Sequence, residues 1–422
     1  MHRTKPLAVI SCAACLLAQL LCGCSKKVEN RLVIWTDNSE FVQYAEIYNE
    51  SHKTKAVLVY KEDLAASLPP MRDELMPDVI AGSWLRNSRV KRNFVPLDFL
   101  FERRYLTSSA FYSVLLEAGT TSHRQYLLPV NFNLPAIIFS AENEDRLETS
   151  YTISLEQLRK TGATYNKKNK KDKYTAIGFA PQSSRQFLYT VAKMKRADFR
   201  QGAGNSFLWN QDALSESISF LKEWISTENP SPAVENDFVY KYLSETDDKR
   251  VTGGRTLFSY MTSDKLFQLS KEQLSQLGFR WLENEGTIPV EDSMIMTGIS
   301  AKSAHKADAA EFISWLFTPD TQRSIMERKA RMNLNNMQFG IAGGFSAVKD
   351  VTEQILPVYY TQLLTNIPQA DSFYVSSKKP RNWEQIKANA VIPYITESVA
   401  AVSDKKTATL EERYAELKKQ GY

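Results

Sequence analysis

Cysteine is missing from nearly the whole chain. Of 422 residues only Cys12, Cys15, Cys22 and Cys24 are cysteine, all close to the N-terminus. Past them there can be no disulfide framework, thiolate metal site or cysteine nucleophile, so the fold must rest on its apolar cores. Histidine is almost as scarce. After His2 only His52, His123 and His305 occur, each isolated, whereas a general base needs an orienting partner. No GxSxG, HExxH or GxxxxGK[ST] motif occurs, nor a GxGxxG after a strand, and Gly202-Ala-Gly204 lacks the third glycine. No cofactor or metal is implied. A convergent carboxylate pair for glycoside hydrolysis stays open, because acids at any spacing can meet in a fold.

Charge of one sign is lacking too. Lys and Arg number 53 against 48 Asp and Glu, a net charge of +5. Arg3 and Lys5 fall in a segment that reads as removed, which leaves +3 (5 − 2). That is too slight for a nucleic-acid-binding face. The 43% hydrophobic and 24% charged residues are those of an ordinary globular protein, long enough for two or three domains. No internal repeat is evident, and no apolar run after Leu21 could span a bilayer.

What is present begins at the N-terminus. Arg3 and Lys5 precede an apolar run from Leu7 to Leu21, too short for a comfortable span, so residues 1–23 read as a signal peptide. Leu21-Cys22-Gly23-Cys24 resembles the bacterial lipobox, which implies that Cys24 starts the mature chain and carries the lipid, palmitate-type acyl chains included. Residues 24–30 then form a polar tether, on the periplasmic or extracellular face of a membrane.

Beyond the tether, strands and helices alternate. Leu32 to Trp35 is a buried-strand run, stopped by capping residues and followed by a helical pattern from Phe41. Ala56 to Tyr60 and Pro77 to Gly82 repeat the strand signal, so β-α-β-α-β order predicts a parallel sheet with ligands beyond its carboxyl ends. The central stretch is Tyr126 to Glu142, in which polar Asn131 and Asn133 flank Phe132 before the strand Pro135 to Phe139. A polar bend followed by a strand suits passage from one lobe to another. Ser154 with Gln157 predicts a capping box, Lys306 to Phe317 a helix, and Lys-rich 166–173 a solvated loop. Aromatic and amide or hydroxyl groups recur at the strand ends. Flat rings pack on apolar sugar faces while Asp, Asn, Gln and Ser pair with hydroxyls.

These residues resemble the extracellular solute-binding proteins of ABC importers, in the carbohydrate-binding group. Val33-Ile-Trp35, Pro77-Asp78-Val79-Ile80, the Tyr126 to Phe139 segment, Gly253 to Met261, Gly298-Ile299-Ser300 and Trp383-Glu-Gln-Ile386 carry the likeness. It implies an α/β, two-lobed fold with discontinuous lobes joined by about three crossovers around a central cleft. The first lobe would comprise 31–139 and 286–318, the second 140–285 and 319–422, with crossovers near Ser140, Glu285 and Thr318. Ligand contacts are implied at Trp35, Asp37, Asn38, Ser83, Trp84, Asn131, Phe132, Asn133, Gln182, Ser183, Arg185, Ser263, Asp264, Gly344, Phe345 and Trp383. The resemblance also implies a monomer that takes a small solute, with a carbohydrate expected, and hands it to an ABC permease without catalysis. A displayed glycosidase or esterase, and a structural or adhesive lipoprotein, are the competing readings. The sequence departs from the group after Gly82, where Leu85 stands at the acid position, and in the polar stretch 370–382.

Overall fold

A computed structural model describes residues 31–148, 150–335, 337–400 and 407–420; the signal segment and Cys24 lie outside them. The chain opens with β1 (Arg31–Thr36), α1 (Phe41–Ser51), β2 (Lys55–Tyr60), β3 (Val79–Gly82) and β4 (Leu128–Pro129). It passes through β5 (Asn131–Phe132) to β6 (Pro135–Ser140), β7 (Thr152–Ser154), α2 (Leu155–Ala163), α3 (Arg185–Met194), α4 (Gln211–Thr227), β8 (Ser259–Thr262) and β9 (Leu277–Glu283). It returns by β10 (Ile288–Pro289) to β11 (Met296–Ile299), α5 (Lys306–Leu316), α6 (Pro319–Arg331), β12 (Phe345–Ser346), β13 (Phe373–Tyr374) and α7 (Trp383–Ile386).

Two sheets result. The first runs β2-β1-β3-β11-β4, with β1 parallel to β2 and β3, and β11 antiparallel to its neighbours. The second runs β8-β6-β9-β7. Local sequence explains the elements. The apolar positions Phe41, Tyr44, Ala45 and Tyr48 fall on the buried stripe of α1, and Asn38 accepts the Glu40 amide before it at 2.9 Å. Ser154 and Gln157 close the predicted capping box at the start of α2.

The second sheet divides two cores by strict alternation. On β6, Ala136 and Ile138 join the first core while Ile137 and Phe139 join the second. On β9, Phe279 and Trp281 face the first and Leu282 the second. The first core thus runs unbroken from beneath β1 to the near face of the second sheet.

The crossings differ from the expected places. β6 pairs along its whole length with β8 and β9, so the first passage lies at 130–134 rather than near Ser140. The second occupies 284–295, around the expected Glu285. Nothing crosses at Thr318. Instead α6 lies against α1: Arg328 bonds Glu46 and Glu50, each at 2.7 Å, and Lys329 bonds Glu40 at 2.6 Å. The chain reaches the second core only after β13, which pairs with β10, when Trp383 enters it.

Candidate functional site

Parallel pairing sets the carboxyl ends of β1 and β3 side by side, and the residues just beyond them meet. Both carboxylate oxygens of Asp37 accept the Ser83 amide, at 3.0 and 3.2 Å. Gly82 permits this approach, since a Cβ there would collide with the Asp37 carboxylate. Burial raises the Asp37 pKa to about 6; the Ser83 bond opposes the shift and the Glu384 charge adds to it. Glu384 belongs to α7, in the second lobe, so Asp37 looks across the inter-lobe space. Trp84, in left-handed conformation (φ 59°), sends its ring the same way and packs against the second core.

A strap from Ser376 to Arg381 lies between the lobes. Arg86 donates to the Ser376 carbonyl at 3.1 Å, Lys378 to Thr121 Oγ1 at 2.6 Å, and Arg381 to the Ala65 and Ala66 carbonyls, all in the first lobe. Toward the second lobe, Gln201 N–H donates to the Lys378 carbonyl at 2.8 Å, Ser377 to Asp198 at 2.6 Å and Lys379 to the Phe199 carbonyl at 2.6 Å. Ser88 N–H donates to Gln201 directly at 2.8 Å.

Beneath the strap, the second crossover carries Glu291 and Asp292. Lys193 Nζ lies 2.7 Å from Asp292 Oδ1 and also bonds the Val290 carbonyl; Ser376 donates to Asp292 at 2.8 Å, and Tyr189 donates to it as well. Burial works against the ionised Asp292, but Lys193, Lys379 and Lys387 outweigh it and hold its pKa well below the usual range. Glu291 accepts from Gln186 at 3.0 Å and from Tyr260 at 3.4 Å, and burial raises its pKa.

Two cavities flank this pair. One of about 160 Å³ is lined by residues including Ser183, Gln186, Arg250, Tyr260, Thr262 and Lys265. The other, of about 20 Å³, is lined by Trp84, Leu85, Arg86, Asp292, Met294, Ser376 and Lys379. Hydrogen-bond donors and acceptors, one accessible ring and small cavities make a place to hold a polar molecule.

No family model matches the chain, and no curated protein sequence matches it. Solved structures do. CpMnBP1 with mannotriose bound is 15% identical over 93% of this chain and 100% of its own, with a TM-score of 0.59. An ABC substrate-binding protein of Listeria monocytogenes in complex with cycloalternan is 12% identical over 93% and 99%, with a TM-score of 0.60. The Thermus thermophilus maltotriose-binding protein with maltotriose is 14% identical over 93% and 100%, with a TM-score of 0.56. The chain has the periplasmic-binding-protein fold.

Within that fold the residues expected at the site separate into groups. Asp37, Ser83 and Trp84 do meet at the inter-lobe space. Trp35 does not join them: it is fully buried in the first core, its side-chain N–H donating to the Leu75 carbonyl at 3.0 Å. Trp383 is fully buried as well, among Tyr189, Phe199 and Phe207, with its N–H 3.4 Å from Asp292. Neither ring offers a face to a ligand here, because each completes a core.

Seven more residues form the hinge. Asn38, Asn131 and Asn133 donate to the backbone carbonyls of Ala342 and Gly343 at 3.1, 2.6 and 2.9 Å. Ser263 donates to Asn133 Oδ1 at 2.6 Å, while Phe132 and Phe345 pack as a tilted pair in the aromatic cluster behind them. Gly344 lets that loop close, since a Cβ would press on the Phe132 carbonyl at 2.7 Å. These polar groups are spent on tying distant segments together.

Gln182 and Ser183 open the second-lobe side. The Gln182 amide N–H donates to Glu235 at 2.7 Å, Ser183 lines the larger cavity, Arg185 is exposed and Asp264 is half-buried. Sequence reasoning missed Arg86, Lys193, Glu291, Asp292, Lys378 and Lys379. The unusual polar stretch 370–382 was the one available signal, since it contains the strap.

Proposed function

We propose that the chain is the lipid-anchored solute-binding component of an ABC importer, taking a saccharide between its lobes and delivering it to a membrane permease. The observation that carries this reading is that Trp84 of one lobe lines a cavity with Ser376 and Lys379 of the strap, beside the Asp37–Ser83 pair that feels the Glu384 charge of the other lobe. Such a ligand touches both lobes only when they close, so its binding energy favours closure. The solved structures named above hold mannotriose, cycloalternan and maltotriose, which supports a saccharide. Asp37, Ser83, Trp84, Gln182 and Ser183 are the contacts we assign, with Arg185 and Asp264 at the rim. Cys24 after Leu21-Cys22-Gly23 supports the anchor.

One observation favours a second reading, a two-lobed lipoprotein that holds no ligand: the strap fills the inter-lobe space to a cavity of about 20 Å³. Melting an oligosaccharide library against the soluble chain decides between them. A ligand bound only by the native state stabilises it by about 2.7 kcal/mol at a hundred times its Kd. A library that leaves the melting temperature unmoved sinks the transport reading.

A further inference from the structure

Three buried or half-buried cations of the inter-lobe space, Arg86, Lys378 and Lys379, have little carboxylate of their own. Arg86 donates to the Ala118 and Ser376 carbonyls at 3.0 and 3.1 Å, and no carboxylate among the described residues lies within ion-pair distance of it. Among the described residues, the Lys378 ammonium bonds Thr121 Oγ1 and the Thr120 carbonyl, at 2.6 and 3.3 Å, and no carboxylate. Lys379 is buried on the Phe199 carbonyl, with Asp292 at 3.9 Å. Asp292 is already matched by Lys193 at 2.7 Å. Of the other carboxylates nearby, Asp37 accepts the Ser83 amide, Glu291 accepts from Gln186 and Tyr260, Asp198 pairs with Arg200, and the Glu384 charge acts on Lys387.

These are not solvated surface cations. Arg86 is half-buried, and loss of water lowers its pKa to about 10; Lys379 is lowered to about 8 for the same reason. Burial lowers Lys378 too, and the charges of Arg86 and Lys91 lower it further. Asp292 offsets this burial for Arg86 and Lys379 only in part, since Lys193 shares it. Cations held out of water with so little counter-charge are costly, and a bound anion relieves that cost while a neutral hydroxyl does so only weakly.

Resting on the saccharide reading above, we propose that the ligand is an anionic saccharide whose carboxylate, phosphate or sulfate is received by Arg86, Lys378 and Lys379. Arg86 offers a planar fork, and the two lysines come from the strap, so the anion joins the first lobe to the segment that bridges to the second. The present cavity of about 20 Å³ has room for a single water, so entry requires the lobes to part and the strap to shift.

The test is calorimetry and thermal melting with digalacturonate, glucose 6-phosphate, maltotriose and sodium sulfate. At least one charged sugar is expected to bind and to raise the melting temperature, its affinity falling as salt rises from about 50 to about 500 mM. The two charged sugars separate a carboxylate from a phosphate requirement. Arg86→Gln should weaken that binding by about tenfold or more, a charge-assisted bond being lost. Should Arg86→Gln fail to fold, Lys378→Gln on the half-exposed strap reads the same quantity. Maltotriose binding with no response to either charged sugar overturns the anion requirement and leaves the saccharide reading standing. No response to any sugar overturns both. Equal stabilisation by sulfate alone, or charged-sugar binding indifferent to Arg86→Gln and Lys378→Gln, overturns the assignment.

Discussion

The Lys193 ammonium and the Asp292 carboxylate meet at 2.7 Å with side chains only 4% and 1% exposed, tying the second lobe to the second crossover. Lys193 comes from α3 in the second lobe, and Asp292 from the segment leading back to β11 in the first. Removing one member of a buried pair leaves the other charged and unmatched. We expect Asp292→Asn or Lys193→Met to cost roughly 3–5 kcal/mol in urea unfolding, and the double variant to recover much of it. Additive losses would mean that the two do not act as a pair. Because the folded-state pKa of Asp292 is depressed, its contribution is present above its unfolded pKa and fades as pH falls below that value.

The two tryptophans around the inter-lobe space should behave oppositely. Trp383 fills the second core, so Trp383→Ala should cost roughly 3–5 kcal/mol of stability. Trp84 is only partly buried, so Trp84→Ala should cost much less in the ligand-free chain while weakening saccharide binding by about tenfold, as loss of a packed ring would. Melting and calorimetry on both variants check this. A larger stability loss for Trp84→Ala would make its ring structural.

What could be read from the sequence was what neighbours decide. The strand at Leu32 to Trp35, the strand at Val79 to Gly82 and the Ser154 capping box depend on residues a few positions apart, and they form as expected. The hinge residues were expected as ligand contacts, not as ties between distant segments. Asn131 and Asn133 are polar at a bend in either case, and only the fold brings Ala342 and Gly343, more than 200 positions away, to accept from them. Trp383 misled for the same reason: a tryptophan opening a helix reads alike whether its ring meets a ligand or Phe199 and Phe207. The helix α6 has a buried stripe suited to either lobe, and the Arg328 contacts to Glu46 and Glu50 put it on the first.

Glu235 gives a test by pH. It is fully buried, accepts the Gln182 amide through Oε1, and its Oε2 has no hydrogen-bond partner among the described residues; burial raises its pKa to about 8 against the opposing effect of the Gln182 and Ser183 amides. A carboxyl whose folded pKa lies above its unfolded value of 4.5 is protonated in the fold and ionised in the unfolded chain between the two. Stability should therefore fall as pH rises from about 4.5 to about 8, by about 3 kcal/mol at pH 7 for this group alone. Glu235→Gln keeps an acceptor for Gln182 and removes the titration. Its gain in melting temperature should be larger at pH 8 than at pH 5. An equal change at both would place the ionised carboxylate in the fold.

The anchor is tested separately. Cys24 is the sole cysteine after the predicted cleavage point, and a single acyl chain alone holds a protein to a membrane only marginally, whereas two or more give stable attachment. Cys24→Ala should release the protein from the membrane fraction or leave the precursor uncut. A processed Cys24→Ala protein still found with membranes would rule out lipidation at this residue.

The strap should govern how readily the lobes part. Arg381 is its outermost tie to the first lobe, donating through Nε to the Ala65 carbonyl at 3.0 Å and through its other nitrogen to Ala66. Burial lowers its pKa, and the nearby Arg89 charge lowers it further, so the contact holds the guanidinium against repulsion. Other links across the lobes include Lys378 with Thr121, Arg86 with Ser376 and Ser88 with Gln201. A hydrogen bond from a charged donor contributes roughly 1.5–3 kcal/mol, and a two-state opening shifts about tenfold for each 1.4 kcal/mol. Arg381→Ala should therefore raise the open fraction by about tenfold or more. X-ray scattering should show a larger radius of gyration without ligand, and amide exchange should quicken at 376–381 and 198–201. The core strands β1 and β9, which hold none of these contacts, should keep their protection. Faster exchange there as well would mean that Arg381 supports the fold itself rather than the closure of its lobes.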